Sequence, residues 1–299
     1  MNISNRLTSP TRTCLARAFR RARDIPGLVV LALWLAGCGS VLSQPQSFDL
    51  AQMCDPQIGF IDYAAELARF RQAVQQINEL KPDFVLICGD LVNNPSRKSF
   101  ADFNAVKAGF KVPCYCAPGN HDVGDAPTPE SLRFYRQSIG QDYYSFEHKG
   151  CVIIVVNTQL WKSSVPEESA KHDAWFKETL AAAAKKGRRV FVVGHIPLFS
   201  RAPGEPNGHD NLPLEKRLEL LSLFERYGVQ LMLAGHTHRT LFLQYKETQI
   251  VTSETTSVNV DFRPFGFRLW HIEAAQPFRH EFVRVAFDPK TRSAAPAQH

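Results

Sequence analysis

Polar side chains follow five apolar segments of the chain, in most cases directly after a glycine. The five motifs are Asp55-Pro56-Gln57, Gly89-Asp90, Gly119-Asn120-His121-Asp122, Gly194-His195 and Gly235-His236-Thr237-His238. Acids, amides and imidazoles bind ligands and exchange protons, and a neighbouring glycine lets the backbone turn sharply and approach a ligand closely. The pattern therefore indicates a binding site, provided that the fold brings the five motifs together.

The elements around these motifs predict a fold that does so. Hydrophobic spacing predicts strands over 48–54, 83–88 and 112–117, with helices over 64–80 and 98–109 between them. This alternation is typical of a parallel sheet covered by helices. Further strands are predicted over 151–156, 189–193 and 229–234, helices over 173–186 and 214–227, and a β-rich segment from Leu241 onward. Because ligands bind beyond the carboxyl ends of such strands, we expect the polar groups to converge at one edge.

The five motifs, in this order, resemble those of the calcineurin-like metallophosphoesterases. The resemblance extends over about residues 48–285. The stretches DPQIGF, GNHDVGDAPTPE, DYYSF and HIPLF are also similar to the subfamily of calcineurin-like phosphoesterase domain-containing serine/threonine phosphatases. The resemblance implies an α/β fold, a four-layer α/β/β/α sandwich with a dinuclear metal centre at one edge. We expect this domain to occupy residues 47–288.

The resemblance also implies a ligand set for two divalent cations, which would be manganese, iron, magnesium or zinc. One cation would be held by Asp55, Gln57, Asp90 and His238, and the other by Asp90, Asn120, His195 and His236. Asp90 would lie between the cations, where an anionic two-oxygen ligand offsets their repulsion. Gln57 departs from the family pattern, because most members have a histidine there. A carboxamide oxygen is a weaker and harder donor than imidazole and favours manganese or magnesium over zinc.

The expected chemistry is hydrolysis of a phosphomonoester. Two cations about 3.5–4 Å apart clamp a phosphoryl group and lower the pKa of a bound water, so that a hydroxide held between them is the expected nucleophile. His121 would then protonate the leaving alkoxide as general acid. His121 and Asp122 are the catalytic candidates, with Asp122 or Asn93 orienting the imidazole. Arg239 is the arginine predicted to bind the substrate phosphate, in preference to Arg97, Arg201, Arg263 and Arg268.

Two alternative functions remain open at this point. A phosphodiesterase acting on cyclic nucleotides or lipid head groups would use the same motifs. A non-catalytic binding lipoprotein would keep only the fold, although it would not need both Asp90 and His121. Other hydrolytic chemistries are disfavoured, because the C-x5-R pattern occurs only from Cys14 to Arg20 and neither G-x-S-x-G nor G-x4-G-K-[ST] occurs.

The first 37 residues are typical of a bacterial lipoprotein signal peptide. Six arginines precede the apolar run GLVVLALWLAGC, which is too short to span a bilayer permanently. Its ending, LAGC, resembles a lipobox and predicts lipidation of Cys38, followed by a tether over 38–46. Gly39 is not the aspartate associated with inner-membrane retention. We therefore expect an exported lipoprotein that is anchored to the outer membrane and faces the periplasm.

Charge and cysteine content limit the other partners. The net charge is +6, but the first 37 residues contribute six arginines and one aspartate, which leaves about +1 for the remainder. We therefore expect no nucleic-acid binding, and we expect a monomer. Cys54, Cys88, Cys114, Cys116 and Cys151 lie in or beside apolar segments and are predicted to be core residues. Residues 289–299 are predicted to be a disordered tail.

Overall fold

The computed structural model of the protein describes residues 46–274 and 277–286. Two sheets run through this part of the chain. The first has the strand order β11–β10–β1–β2–β3. Its strands are β1 (Phe48–Met53), β2 (Phe84–Cys88), β3 (Cys114–Ala117), β10 (Gly266–Ile272) and β11 (Arg279–Arg284). The three early strands are parallel, and β10 and β11 extend the sheet in antiparallel pairing.

The second sheet has the order β4–β5–β6–β7–β9–β8. Its strands are β4 (Tyr144–His148), β5 (Cys151–Val155), β6 (Arg189–Val193), β7 (Val229–Ala234), β8 (Leu241–Tyr245) and β9 (Thr248–Thr252). The four central strands are parallel, whereas β4 and β8 pair antiparallel at the two edges. This second sheet therefore presents the carboxyl ends of its central strands at one edge.

Seven helices connect the strands in the described residues. They are α1 (Tyr63–Leu80), α2 (Arg97–Lys107), α3 (Asn120–Val123), α4 (Pro129–Ser138), α5 (Gln159–Lys162), α6 (Pro166–Lys185) and α7 (Leu214–Tyr227). The longer helices begin at identifiable signals. Asp62, for example, accepts a hydrogen bond from the Ala65 amide and caps α1, and Pro166 opens α6.

Alternation of side chains along the strands builds four layers. On β2, Val85 and Ile87 pack in a cluster with residues of α1 and α2, whereas Leu86 points to a second cluster shared with the other sheet. On β5, Ile153 belongs to that shared cluster and Ile154 packs toward α6 and α7. Each sheet is therefore covered by helices on one face and by the other sheet on its second face. The predicted α/β/β/α sandwich is confirmed.

Several predicted boundaries were shifted or incomplete. The helix predicted over 173–186 begins at Pro166, because proline is well tolerated at a first helical position. The strand predicted over 112–117 begins at Cys114. Strand β4 and helices α3, α4 and α5 were not predicted. The five cysteines are free, and four of them are buried, as expected for core residues, while Cys114 is partly exposed.

The predicted signal peptide, the lipidated Cys38, nearly all of the tether and the disordered tail lie outside the described residues. Within residues 46–274 and 277–286, no helix combines the length and the apolar character that crossing a bilayer requires.

Candidate metal centre

The predicted ligands lie at strand ends in an uncommon backbone conformation. Asp55, Gln57, Asp90, His236 and His238 have φ angles of 47°, 38°, 50°, 69° and 50°. Positive φ is unfavourable for residues with a side chain, and such strain is retained mainly at functional sites. Five of the seven predicted ligands share this conformation, which indicates that the loops are shaped for the site rather than for their own stability.

Two glycines make the close approach of these loops possible. A Cβ atom at Gly119 would lie 2.0 Å from Oδ1 of Asp90, and one at Gly235 would lie 2.4 Å from Oδ2 of Asp55. Neither contact is sterically allowed. Gly119 and Gly235 therefore each admit a carboxylate from another loop.

The ligand atoms form two groups that share one carboxylate. Single ligand atoms of Asp90, His195 and His236 lie within 4.8 Å of one another, and so do those of Asp55, Asp90 and His238. Asp90 belongs to both groups. The structure therefore brings together five of the side chains that the resemblance assigned to two cations, with Asp90 common to both groups.

Asn120 completes the group around His195 and His236. Its Oδ1 lies 3.0 Å from Nε2 of His195 and 3.0 Å from Nδ1 of His236. Nε2 of His195 is also 3.2 Å from Oδ2 of Asp90. Three nitrogen and oxygen donors from three different loops therefore converge on one point beside Asp90.

Backbone carbonyls orient all three histidines. Nδ1 of His195 is 2.8 Å from the Cys88 oxygen, Nε2 of His236 is 3.0 Å from the His209 oxygen, and Nδ1 of His238 is 2.6 Å from the Val258 oxygen. A carbonyl accepts only from a protonated nitrogen, so in each case the other ring nitrogen faces the cluster and is the one that would bind a cation. Metal-binding histidines are fixed in this way by their outer partners.

Gln57 provides a direct test of whether the residues fit a cation. Its Nε2 donates to Oδ1 of Asn93 at 3.3 Å, which fixes the orientation of the amide. The remaining atom, Oε1, is buried and has no hydrogen-bond partner among the described residues. Buried polar oxygens are nearly always satisfied. A cation held by Asp55, Asp90 and His238 would satisfy this oxygen, so the donor set fits a metal.

The ionisable groups of the cluster also fit a bound cation. Burial raises the pKa of Asp55 to about 6, against the attraction of His238 and His195. Burial also disfavours the ionised form of Asp90, but the charge and hydrogen bond of His195 and the charge of His121 hold its pKa at about 2. A divalent cation stabilises both carboxylates in the ionised form. A site that combines carboxylate and carboxamide oxygens with imidazole nitrogens is suited to divalent ions of the first transition row.

His121 lies beside the cluster without belonging to it. Its amide N–H donates to Oδ1 of Asp90 at 2.9 Å, and its ring Nδ1 lies 3.0 Å from the backbone oxygen of Asn93. With Nδ1 engaged in this way, Nε2 is the ring nitrogen available for proton transfer. Of the two residues that could orient this imidazole, Asn93 makes the contact, and it does so through its carbonyl oxygen rather than its side chain.

Asp122 has a different position from the one predicted for a catalytic partner. Its buried carboxylate accepts hydrogen bonds from the amides of Leu91, Val92 and Gly119 at 2.8–3.2 Å. It therefore ties the loop that follows Asp90 to the loop that carries His121. This geometry assigns Asp122 to the support of both loops and provides no contact with the His121 ring.

Arg239 lies at the border of the site. Its side chain is 55% exposed, and Nη1 is 3.8 Å from Oδ2 of Asp210. Together with Arg201 and Thr237 it lines a cleft of about 370 Å³. Arg268, in contrast, is buried in contact with Glu254 at 2.6 Å and has a structural role.

Two further residues near the centre were not predicted. The ring of His209 stacks on His236 with centroids 4.5 Å apart, and Lys162 donates to the backbone oxygens of Gly208 and Asn211 at 2.5 Å each. Lys162 thereby fixes the loop that supports His236. Neither residue belongs to a motif. The contacts of Lys162 and His236 with this loop are made to backbone oxygens, which every residue type carries, so the sequence of the loop does not reveal them.

Known proteins with similar sequences share a common description. The sequence profile described as calcineurin-like phosphoesterase matches residues 52–240. A Bos taurus protein named serine/threonine-protein phosphatase CPPED1 is 31% identical over 263 residues, which cover 80% of this chain and 84% of that one. Glycerophosphodiester phosphodiesterase GpdQ of Enterobacter lignolyticus is 29% identical over 224 residues, covering 69% and 76%.

A solved structure shows the same fold. The crystal structure of a dimetal phosphatase from Danio rerio superposes with a TM-score of 0.63 at 15% identity, covering 80% of this chain and 96% of that one.

Proposed function

The chain belongs to the calcineurin-like phosphoesterase family and is a phosphoester hydrolase, and on this basis we propose that its substrates are phosphomonoesters and that it works with two manganese ions. The observation that carries the proposal is the sharing of Asp90 by two convergent ligand groups, next to an imidazole that is not a ligand. The reaction class follows from the family, and the role of each residue is proposed from the position of its side chain.

The residues that would hold the cations are those that the resemblance implied. One position would take Asp55, Gln57, Asp90 and His238, and the other would take Asp90, Asn120, His195 and His236. When bound, the two ions orient the phosphoryl group and lower the pKa of the attacking water. Manganese is proposed because the neutral carboxamide oxygen of Gln57 and the carboxylates suit a harder ion than zinc.

His121 is proposed as the general acid. Its Nδ1–H is committed to the Asn93 carbonyl, so the proton for the leaving oxygen would come from Nε2. The hydrogen bond from the His121 amide N–H to Oδ1 of Asp90 holds the backbone of His121 next to the centre. A positioned proton donor of this kind contributes roughly 10²–10⁴-fold to the rate.

The preference for monoesters is supported by the arginines at the border of the site. A monoester carries up to two negative charges, whereas a diester carries one. Arg201 and Arg239 line the same cleft, and each is loosely paired with an acid, at 3.7 Å to Glu205 and 3.8 Å to Asp210. Guanidinium groups in such positions can turn to bind phosphate oxygens.

A comparison of two chromogenic substrates tests the proposal. The purified protein is freed of metal, supplied with manganese, and assayed with p-nitrophenyl phosphate and with bis(p-nitrophenyl) phosphate. We expect the monoester to be hydrolysed with the larger kcat/KM, and we expect Arg239→Ala to reduce that value more for the monoester than for the diester. Equal losses for the two substrates would remove Arg239 from the proposal.

The second candidate function is that of a phosphodiesterase. It is favoured by the 29% identity to a protein named glycerophosphodiester phosphodiesterase. The same assay decides, because a diesterase would hydrolyse the diester faster and would gain little from Arg239.

We also propose that the protein is a lipoprotein of the outer membrane, facing the periplasm, with Cys38 as the lipidated residue. The support is the basic segment and apolar run that end in LAGC. Expression in a bacterium with radiolabelled palmitate tests this. We expect label on the wild type and none on Cys38→Ala, and label on both would contradict the assignment.

A further inference from the structure

Four exposed apolar side chains lie on two loops beside the metal centre: Phe60, Ile61, Val260 and Phe262, here called the apolar rim. We propose that the apolar rim is the subsite for the leaving group of the substrate, and that this leaving group is a hydrocarbon, either an alkyl chain or an aromatic ring. The inference rests on the proposed phosphomonoesterase function and specifies its substrate class.

Exposure of the rim is unusual for this protein. Of the eight exposed large apolar side chains in the described part of the chain, four belong to the rim, at 37%, 75%, 45% and 96% exposure in chain order. Phe262 also has a φ angle of 61°, which is unfavourable for an aromatic residue. Exposed hydrocarbon and backbone strain at the same short segment favour a role in binding over a role in stability.

Phe60 connects the rim to the proposed chemistry. Its ring centroid lies 6.4 Å from that of His121 in an edge-on arrangement, and 5.5 Å from that of His238. A general acid must lie within hydrogen-bond reach of the oxygen that it protonates. The group attached to that oxygen must therefore begin next to His121, where the neighbouring ring is that of Phe60.

The loop that carries Phe60 and Ile61 is held in place by a buried carboxylate. Glu66, in the first turn of α1, accepts hydrogen bonds from the amides of Gly59, Phe60, Ile61 and Asp62 at 2.7, 2.9, 2.8 and 3.2 Å. Four charge-assisted bonds to successive amides fix the backbone of this segment. The rim side chains are thus presented to solvent by a rigid support, as a preformed binding surface requires.

The second loop of the rim is attached to the same support. Arg69 lies 3.8 Å from Glu66 and donates to the backbone oxygens of Thr256 and Ser257 at 2.7 and 3.1 Å. Further along, the amide of Val260 donates to the His238 oxygen at 2.9 Å. Both loops are therefore fixed relative to His238.

This surface discriminates between classes of leaving group. A sugar or a second phosphate would place polar groups against Phe60 and lose hydration without gaining hydrogen bonds. An alkyl or aromatic group would instead bury its own apolar surface together with that of the rim. The arginines Arg201 and Arg239 serve the phosphate and line a different cleft.

A series of n-alkyl phosphates tests the proposal. The leaving alcohols of ethyl, butyl and hexyl phosphate have nearly the same acidity, so that differences in kcat/KM report contacts with the chain. With the manganese-loaded enzyme we expect an increase of about two- to fourfold for each methylene that the rim covers. Phe60→Ala should remove most of this dependence. Phe242→Ala, which truncates an exposed phenylalanine that packs on Arg268 and His280, should keep the wild-type dependence.

Binding of non-hydrolysable phosphonates provides a readout that does not require turnover. Calorimetry should give a smaller Kd for hexylphosphonate than for ethylphosphonate with the wild type and with Phe242→Ala, and a much smaller difference between the two with Phe60→Ala. Rates and affinities that are independent of chain length in the wild type would overturn the proposal.

Failure of this inference and failure of the proposed function are distinguishable. If no phosphoester is hydrolysed in the presence of any divalent metal, the function is wrong. If all alkyl phosphates are hydrolysed at one rate, the function stands and the rim has no part in substrate choice. Binding of the protein to phospholipid vesicles that Phe262→Ser abolishes, with a rate independent of chain length, would assign the rim to a membrane surface and overturn the proposal.

Discussion

The amide of His121 donates a hydrogen bond to Oδ1 of Asp90 at 2.9 Å, which links the proposed general acid to the carboxylate shared by both cation positions. The link runs through the backbone of His121. Its imidazole can therefore be changed without altering the contact, so that acid catalysis and metal binding can be separated by substitution.

Replacement of the His121 ring should affect chemistry and spare the metals. We expect His121→Asn to lower kcat by roughly 10²–10⁴-fold for an alkyl phosphate, whose leaving oxygen needs a proton. The loss should be much smaller for p-nitrophenyl phosphate, which leaves without protonation. Metal content, measured by plasma mass spectrometry, should equal that of the wild type. An equal loss for both substrates would remove the general-acid role.

The carboxamide at position 57 should determine which metal is bound. Gln57→His replaces a neutral oxygen by an imidazole nitrogen, the donor that zinc binds more strongly. We expect the variant to retain more zinc after dialysis against a mixture of zinc and manganese, and to lose manganese-dependent activity. Asn93→Ala provides a matched comparison, since it removes only the hydrogen bond that orients the amide. A metal ratio unchanged in Gln57→His would contradict the assignment of this residue as a ligand.

Much of the centre was predictable because its ligands follow buried strands. Asp90 and His195 come directly after glycine at the ends of β2 and β6, so the sequence places each at the carboxyl edge of a parallel sheet. The grouping of Gln57 with His238 was implied only by the resemblance, since β1 and β7 belong to different sheets.

Contacts through the backbone were not predictable. His121 is oriented by the Asn93 carbonyl, and Lys162 binds backbone carbonyls of another loop. Every residue type has such a carbonyl, so the sequence does not indicate these contacts. Strand β4 was missed because Tyr144 to His148 is only partly buried at a sheet edge, where hydrophobic periodicity is weak. The rim was missed for a related reason, since exposed apolar residues such as Phe60 are common on protein surfaces and become informative only beside His121.

Glu66 should be important for stability, although it contacts no proposed ligand. Its carboxylate is fully buried and accepts four amide hydrogen bonds. Glu66→Gln replaces one acceptor oxygen by a donor, which leaves two amides opposed by an NH₂ group. We expect a loss of about 2–3 kcal/mol in the free energy of unfolding, measured in urea.

The exposed Glu167 is the control for this change, and Glu167→Gln should alter the stability by less than about 0.5 kcal/mol. Equal stabilities of the two variants would contradict the role given to Glu66.

His172 should make stability depend on pH. Burial lowers its pKa to about 4, against the attraction of Asp173 and Asp142. The folded protein therefore binds fewer protons at this site than the unfolded chain, whose histidine titrates near 6.5. The folded state is fully favoured above pH 6.5 and loses stability as the pH falls toward 4, by roughly 3 kcal/mol in total.

The stability difference between the wild type and His172→Gln, measured by urea unfolding at several pH values, isolates this contribution. As the pH falls from 7 to 4, the wild type should lose more stability than His172→Gln does. A difference that stays constant over this interval would show that the ring is not buried in its neutral form.

The shared role of Asp90 is tested most directly by counting metals. Plasma mass spectrometry of protein loaded with manganese and desalted should give two ions per chain for the wild type, and less than one for Asp90→Asn, with no measurable hydrolysis of p-nitrophenyl phosphate by the variant. Two ions per chain and full activity in Asp90→Asn would contradict the account of this site.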